Sequence, residues 1–186
     1  RVTSHSMRTY ELVAMAIDSL ACTEIESLAK SGLMTRAQRD ALGADFALSN
    51  LNDLFAMSDF IYGERSMLAP KMGNKVEAAA VREALKPMTG AEPTDATAKL
   101  AAFTDAELLE DCAKLSACYD VMEKEWKSAE PMAGLAKIEE ASVRGEYGQI
   151  ARVTVPAFTN IRRSYDKAVA RVRTTTEAVK NAKTKD

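Results

Sequence analysis

LLEDCAKLSACYDVMEKEW, residues 108–126, decides the fold. Leu108, Cys112, Leu115, Tyr119, Met122 and Trp126 recur in steps of three and four, which stacks them on one face of an α-helix and leaves the far face to solvent. A second stripe, Phe158, Ile161, Tyr165, Ala168, Val172 and Val179, repeats the spacing over the last thirty residues. Alanine is abundant and only 6% of residues are aromatic, a composition that suits closely approaching helices better than a β-sandwich. The expectation is an all-α chain, an irregular antiparallel bundle of five to seven helices with no significant β-sheet.

Working outward from Leu108, Thr104 followed by Glu107 forms a capping-box signature and places a helix start there. Upstream, residues 6–30 carry Tyr10, Val13, Ile17, Leu20, Ala21 and Leu28 as an expected core face, with Glu11, Asp18, Glu24 and Glu26 elsewhere, and Gly32 supplies the stop. Thr35 is an N-cap for a long second helix toward Leu68, with Pro70 as its outer limit. Residues 74–86 read as a shorter helix closed by Pro87 and Gly90, and 95–103 as another. Pro131 separates 104–128 from a helix over 132–144, Gly145 and Gly148 interrupt the next stretch, and Pro156 precedes a final helix over 157–183.

At 186 residues, 47% hydrophobic and 28% charged, the composition fits one domain over 1–186, with Pro87 to Thr94 the best internal boundary. Residues 1–6 are expected to be disordered or a cloning remnant ahead of a start at Met7, and 184–186 to be frayed. A first residue other than methionine leaves the compartment open, cytoplasmic or periplasmic and secreted alike. No stretch approaches the roughly 18 uninterrupted apolar residues of a membrane span. Three cysteines, Cys22, Cys112 and Cys118, leave at least one thiol unpaired; Cys112 and Cys118 stand about 9 Å apart along one helix, so only a pair with Cys22 is open.

Several chemistries fall on residue inventory. The sole histidine, His5, has no helical Glu at the spacing a di-iron bundle needs, and it is the only base for a Ser or Cys nucleophile. Zinc-type Cys spacing, phosphate-binding glycine loops and haem attachment motifs are missing. No cofactor and no metal site is expected. Acidic residues in helix first turns, Glu107, Glu110 and Asp111, and the pair Glu139 and Glu140, fit the helix dipole, with Glu110–Lys114 and Glu123–Lys127 as ordinary i, i+4 partners.

Three surfaces remain. Asn50, Asp53, Tyr62 and Arg65 lie within an apolar part of the second helix and form a candidate polar spot for a small ligand. Residues 157–186 hold eight basic against three acidic residues, a net +5, so with the chain at −2 the preceding 156 carry −7. Arg163, Lys167 and Arg171, at i, i+4 and i+8, form a candidate ridge for an acidic partner; nucleic acid is disfavoured because no aromatic interleaving accompanies it. Met67, Met72 and Met88 with Leu68 gather near expected helix ends and, with Trp126, form a candidate apolar patch. These point to a non-catalytic interaction or scaffold protein with a protein partner or self-association. The alternatives are a carrier of a small apolar ligand inside the bundle, and an enzyme using carboxylate and tyrosine groups such as Asp53 and Tyr62.

Overall fold

A computed structural model of the chain describes residues 4–48, 61–63, 65, 77–89, 95–155 and 158–185. Among them the secondary structure is helical throughout: α1 (Ser4–Ser31), α2 (Arg36–Leu48), α3 (Ala78–Thr89), α4 (Asp95–Ala102), α5 (Asp105–Trp126), α6 (Pro131–Val143), α7 (Gly148–Thr154) and α8 (Phe158–Lys180). Residues 61–63 and 65 are helical as well. The all-α expectation holds, and no strand occurs among the described residues. Gly145 and Gly148, both at positive φ (81° and 90°), do more than interrupt: they turn the chain between α6 and α7, of which Gly148 is the first residue. Contacts gather the chain into two compact units, one centred on Ser58–Arg162 and the other on His5–Met57 together with Arg163–Asp186.

In the first unit α5 is the central rod, packed against α3, α6 and α7, while α4 and α6 also rest on α7. Its start is the expected capping box: Thr104 Oγ1 accepts from the Glu107 amide at 3.3 Å and Glu107 Oε2 accepts from the Thr104 amide at 2.8 Å. All six stripe residues are buried, Leu115 completely. Tyr119 meets Phe158 edge to face with ring centroids 6.4 Å apart. The α3 helix runs from Ala78 through Pro87 to Thr89, beyond the expected stop. A proline in the last turn removes one amide, the bond otherwise made to the carbonyl of Glu83, and the remaining turn survives it.

The second unit joins α1, α2 and the greater part of α8. Gly32, at φ 68°, turns the chain out of α1, and Thr35 caps α2 reciprocally with Gln38, each side chain accepting from the other's amide. Met34 in this turn is fully buried against Ala29 and Ala182, with Leu28, Leu42 and Ala178 packed around them. The Lys185 amide donates to the Met34 carbonyl at 3.0 Å and ties the segment after α8 to the same turn.

The structure corrects the face assigned to α1. Among the described side chains of α1, those of residues 13–31, Met15, Cys22, Glu26 and Ala29 are buried, whereas Val13, Ile17 and Leu20 are 48%, 60% and 70% exposed; of the rest of the expected face, Ala21 is exposed, Leu28 is half-buried against the Met34 cluster, and the Tyr10 side chain lies outside the described residues. At about 100° per residue the two sets lie on opposite sides of the helix. Burying Glu26 requires partners, and it has them: Thr175 donates its hydroxyl to Glu26 Oε1 at 2.8 Å, and Arg171 Nε lies 3.4 Å from the same oxygen.

Candidate functional site

The expected ligand spot is only partly within view. Asn50 and Asp53 lie outside the described residues. Tyr62 is half exposed, and Arg65 makes an ion pair with Asp120 on α5 at 2.6 Å. Of the apolar patch, Met67 and Met72 lie outside the described residues, and for Met88 only its helical backbone is described. Trp126 is buried, with the Arg162 guanidinium 4.8 Å above its ring and Arg162 Nη1 donating to the Trp126 carbonyl at 2.6 Å.

Of the basic ridge, Arg163 and Lys167 are exposed. Arg171 is turned onto α1: besides its ion pair with Glu26, its Nη2 donates to Thr23 Oγ1 at 2.9 Å. The i, i+4, i+8 row therefore does not present three equivalent cations. One of them secures a helix pair.

Two carboxylates do work that their sequence positions did not disclose. Asp111, buried on α5, accepts from the amides of Gln149 at 3.0 Å and Ile150 at 2.6 Å, one oxygen to each. These are first-turn amides of α7, so Asp111 is an N-cap supplied from another helix. A Cβ at Gly148 would stand 2.3 Å from Asp111 Oδ1, and the glycine is what lets the carboxylate come so close. Glu139 on α6 does the same for α8, taking the Thr159 amide at 2.7 Å and its hydroxyl at 2.9 Å. Glu110–Lys114 and Glu123–Lys127 are the expected surface pairs, at 2.8 and 2.7 Å.

Reactive groups are muted. All three cysteines are unpaired and buried. Burial pushes the Cys112 and Cys118 thiols up to about 11, with the Asp111 charge adding to the effect at Cys112 and a hydrogen-bond contact to Ser142 opposing it at Cys118. Such thiols are poor nucleophiles. Desolvation likewise raises the Tyr147 hydroxyl. Glu107 is held below the usual carboxylate range by the Thr104 amide and hydroxyl. Among the described residues no group of three His, Cys, Asp or Glu side chains is placed to hold a metal, and no helix is long and apolar enough to cross a membrane.

One concavity of about 740 Å³ runs between the end of α5 and one side of α6. Val121, Ala133, Gly134, Ile138 and Ala141 make its apolar wall, and the Glu125 carboxylate rests against Gly134, where any larger residue would displace it. The volume is within the range of small-molecule sites. However, it is an open groove in which Glu125, Glu130, Lys137, Arg144 and Glu146 stand among the apolar groups, unlike the enclosed apolar cavity a carrier needs.

Among the described residues, the outer face of α1 groups three exposed large aliphatic side chains on one helix. Val13, Ile17 and Leu20 fall within an arc of about 60° and span two helical turns, with the exposed alanines Ala16 and Ala21 on its flanks. Sequence periodicity located these residues correctly as one stripe and assigned it to the wrong side. Comparison of the chain with protein-family models, curated proteins and solved structures finds no match.

Proposed function

We propose that this chain is a non-catalytic helical interaction protein, and that the outer face of α1 is a contact surface. The observation that carries the proposal is the inversion of α1: Val13, Ile17 and Leu20 point to solvent, while a glutamate and a cysteine are buried behind them. Exposing apolar area costs about 25 cal/mol per Å² relative to covering it, and a ridge at i, i+4, i+7 is the pattern by which helices dock into grooves. Exposed Lys167, with Arg163 beside it, supplies a further charged surface of the kind expected for an acidic partner. The muted thiols, and carboxylates engaged as helix caps, support a binding role over a catalytic one.

The test is Ile17→Glu with Leu20→Glu. On a contact surface, the double substitution leaves the stability measured in urea within about 0.5 kcal/mol of the parent, as other exposed positions do, and abolishes co-purification of partner chains from the native host. A loss of several kcal/mol would place these residues in the core. Unchanged co-purification would remove α1 from the contact.

A further inference from the structure

We infer that the groove between the end of α5 and one side of α6 binds a small organic ammonium ion, its charge held by Glu125 and its apolar body lying along Val121, Ile138 and Ala141. The inference does not rest on the contact role proposed for α1. It starts from Glu125, whose side chain is half-buried in the groove wall and whose carboxylate, among the described residues, has neither a hydrogen bond nor an ion pair. A carboxylate withdrawn from water without a partner is costly, and a cation is what offsets that cost. Gly134 makes the room it occupies: a Cβ there would meet Glu125 Cδ at 2.6 Å and Cγ at 2.8 Å. A glycine inside a helix weakens it relative to alanine, so α6 is weakened at the position where the carboxylate lies across it.

The rest of the wall sets the shape and sign of the ligand. Cys118 Sγ lies 3.7 Å from Ser142 Oγ and Glu125 lies over Gly134, so α5 and α6 run antiparallel and Val121 comes level with Ile138, one turn from the carboxylate. An apolar strip therefore adjoins the acid, and Tyr147 brings to the same groove an aromatic ring of the kind that attracts cations. Arg144 and Glu146 neutralise each other at 2.6 Å. Glu130 adds a second carboxylate, which makes no cap bond to α6, and the opposing Lys137 ammonium is exposed and free to swing into solvent. Ser128 Oγ, buried in the same wall, has no hydrogen-bond partner among the described residues and can accept from a ligand. The segment Ser58–Arg162 holds thirteen basic and seventeen acidic residues, so its wider field also draws cations. A volume of about 740 Å³ suits a compact molecule.

Three probes of closely matched shape and different charge test this at neutral pH: phenethylamine, phenethyl alcohol and hydrocinnamate. Titrated into the isotope-labelled intact chain, the amine shifts the amide resonances of Val121, Glu125 and residues 133–141. It binds about tenfold more tightly than the alcohol, the worth of a charge-assisted hydrogen bond, and hydrocinnamate binds most weakly. Glu125→Gln removes the difference between amine and alcohol. Gly134→Ala keeps every charge but displaces the carboxylate, and lowers amine affinity about tenfold in a chain that melts no lower than the parent. Lys137→Ala leaves the order of the probes unchanged. An amine bound no more tightly than the alcohol, or amide shifts confined to other parts of the chain, overturns the site. Tightest binding by hydrocinnamate overturns its sign and makes Lys137 the anchor. Equal amine affinity in the parent and Gly134→Ala overturns the role of Glu125; should Gly134→Ala melt lower, Glu125→Gln, which leaves the packing in place, decides.

Discussion

Removing the Asp111 carboxylate should cost the first unit more than any surface charge can. Asp111→Ala strands the amides of Gln149 and Ile150, which now donate to Asp111 at 3.0 and 2.6 Å in a part-buried and a buried setting. Losing an N-cap costs about 0.5–2 kcal/mol, and leaving a buried donor unsatisfied about 1–3 kcal/mol. The two descriptions overlap at one site, so the expected loss is about 2–4 kcal/mol. Gly148→Ala should be comparably harmful: its φ is 90° and its new methyl would stand 2.3 Å from Asp111 Oδ1. The pair is informative in combination. With Asp111 already alanine the methyl meets no carboxylate, and the added cost of Gly148→Ala should fall to the backbone strain alone, about 1–3 kcal/mol. Urea unfolding followed by Trp126 fluorescence reads this directly, since the single tryptophan is buried in the same unit. An Asp111→Ala cost below about 0.5 kcal/mol, or strictly additive costs in the double variant, would refute the assignment of Asp111 as the cap of α7.

Leu115 has no exposed surface at the centre of α5, and Leu115→Ala should lower stability by about 2–5 kcal/mol in the same urea experiment. With the thiols of Cys112 and Cys118 pushed up to about 11 and Cys22 buried, a thiol-specific reagent at neutral pH should find almost none in the native chain and three after denaturation. Glu107 has a folded pKa lowered from 4.5 by Thr104, so its contribution is present above that value and fades as pH falls through the folded pKa. Circular dichroism melts on Thr104→Ala should accordingly show a smaller loss of stability on acidification than the parent.

Much of the first unit is legible in the chain because its determinants are local. The α5 stripe and the Thr104–Glu107 box, like the α8 stripe and the Gly32 stop, each depend on residues within a few positions of one another. Where partners are remote, legibility fails. Nothing near Glu26 announces that Thr175, 149 residues away, will accept it into the interior, and so the aliphatic side of α1 looks like the natural inner face. Asp111 sits where an acid suits its own helix dipole, which hides its service to α7, 38 and 39 residues downstream. The pair of glycines at 145 and 148 was the available clue, since two left-handed residues between helices imply a tight re-entry that something must cap. Arg171 fitted a surface row by spacing alone, and only the fold shows it engaged by Glu26 and Thr23.

The second unit takes its segments from opposite ends of the sequence, His5–Met57 and Arg163–Asp186. On the ribosome α1 and α2 therefore emerge ahead of the segment that completes their unit and must wait, unfinished, while more than a hundred intervening residues are made. At about 5–20 residues per second that delay lasts many seconds, long enough for a nascent helix with aliphatic groups on one side to attract a chaperone. The Ser58–Arg162 segment meets no such delay and can close on itself as it is extruded. Vectorial synthesis thus completes the Ser58–Arg162 unit before the one that joins His5–Met57 to Arg163–Asp186.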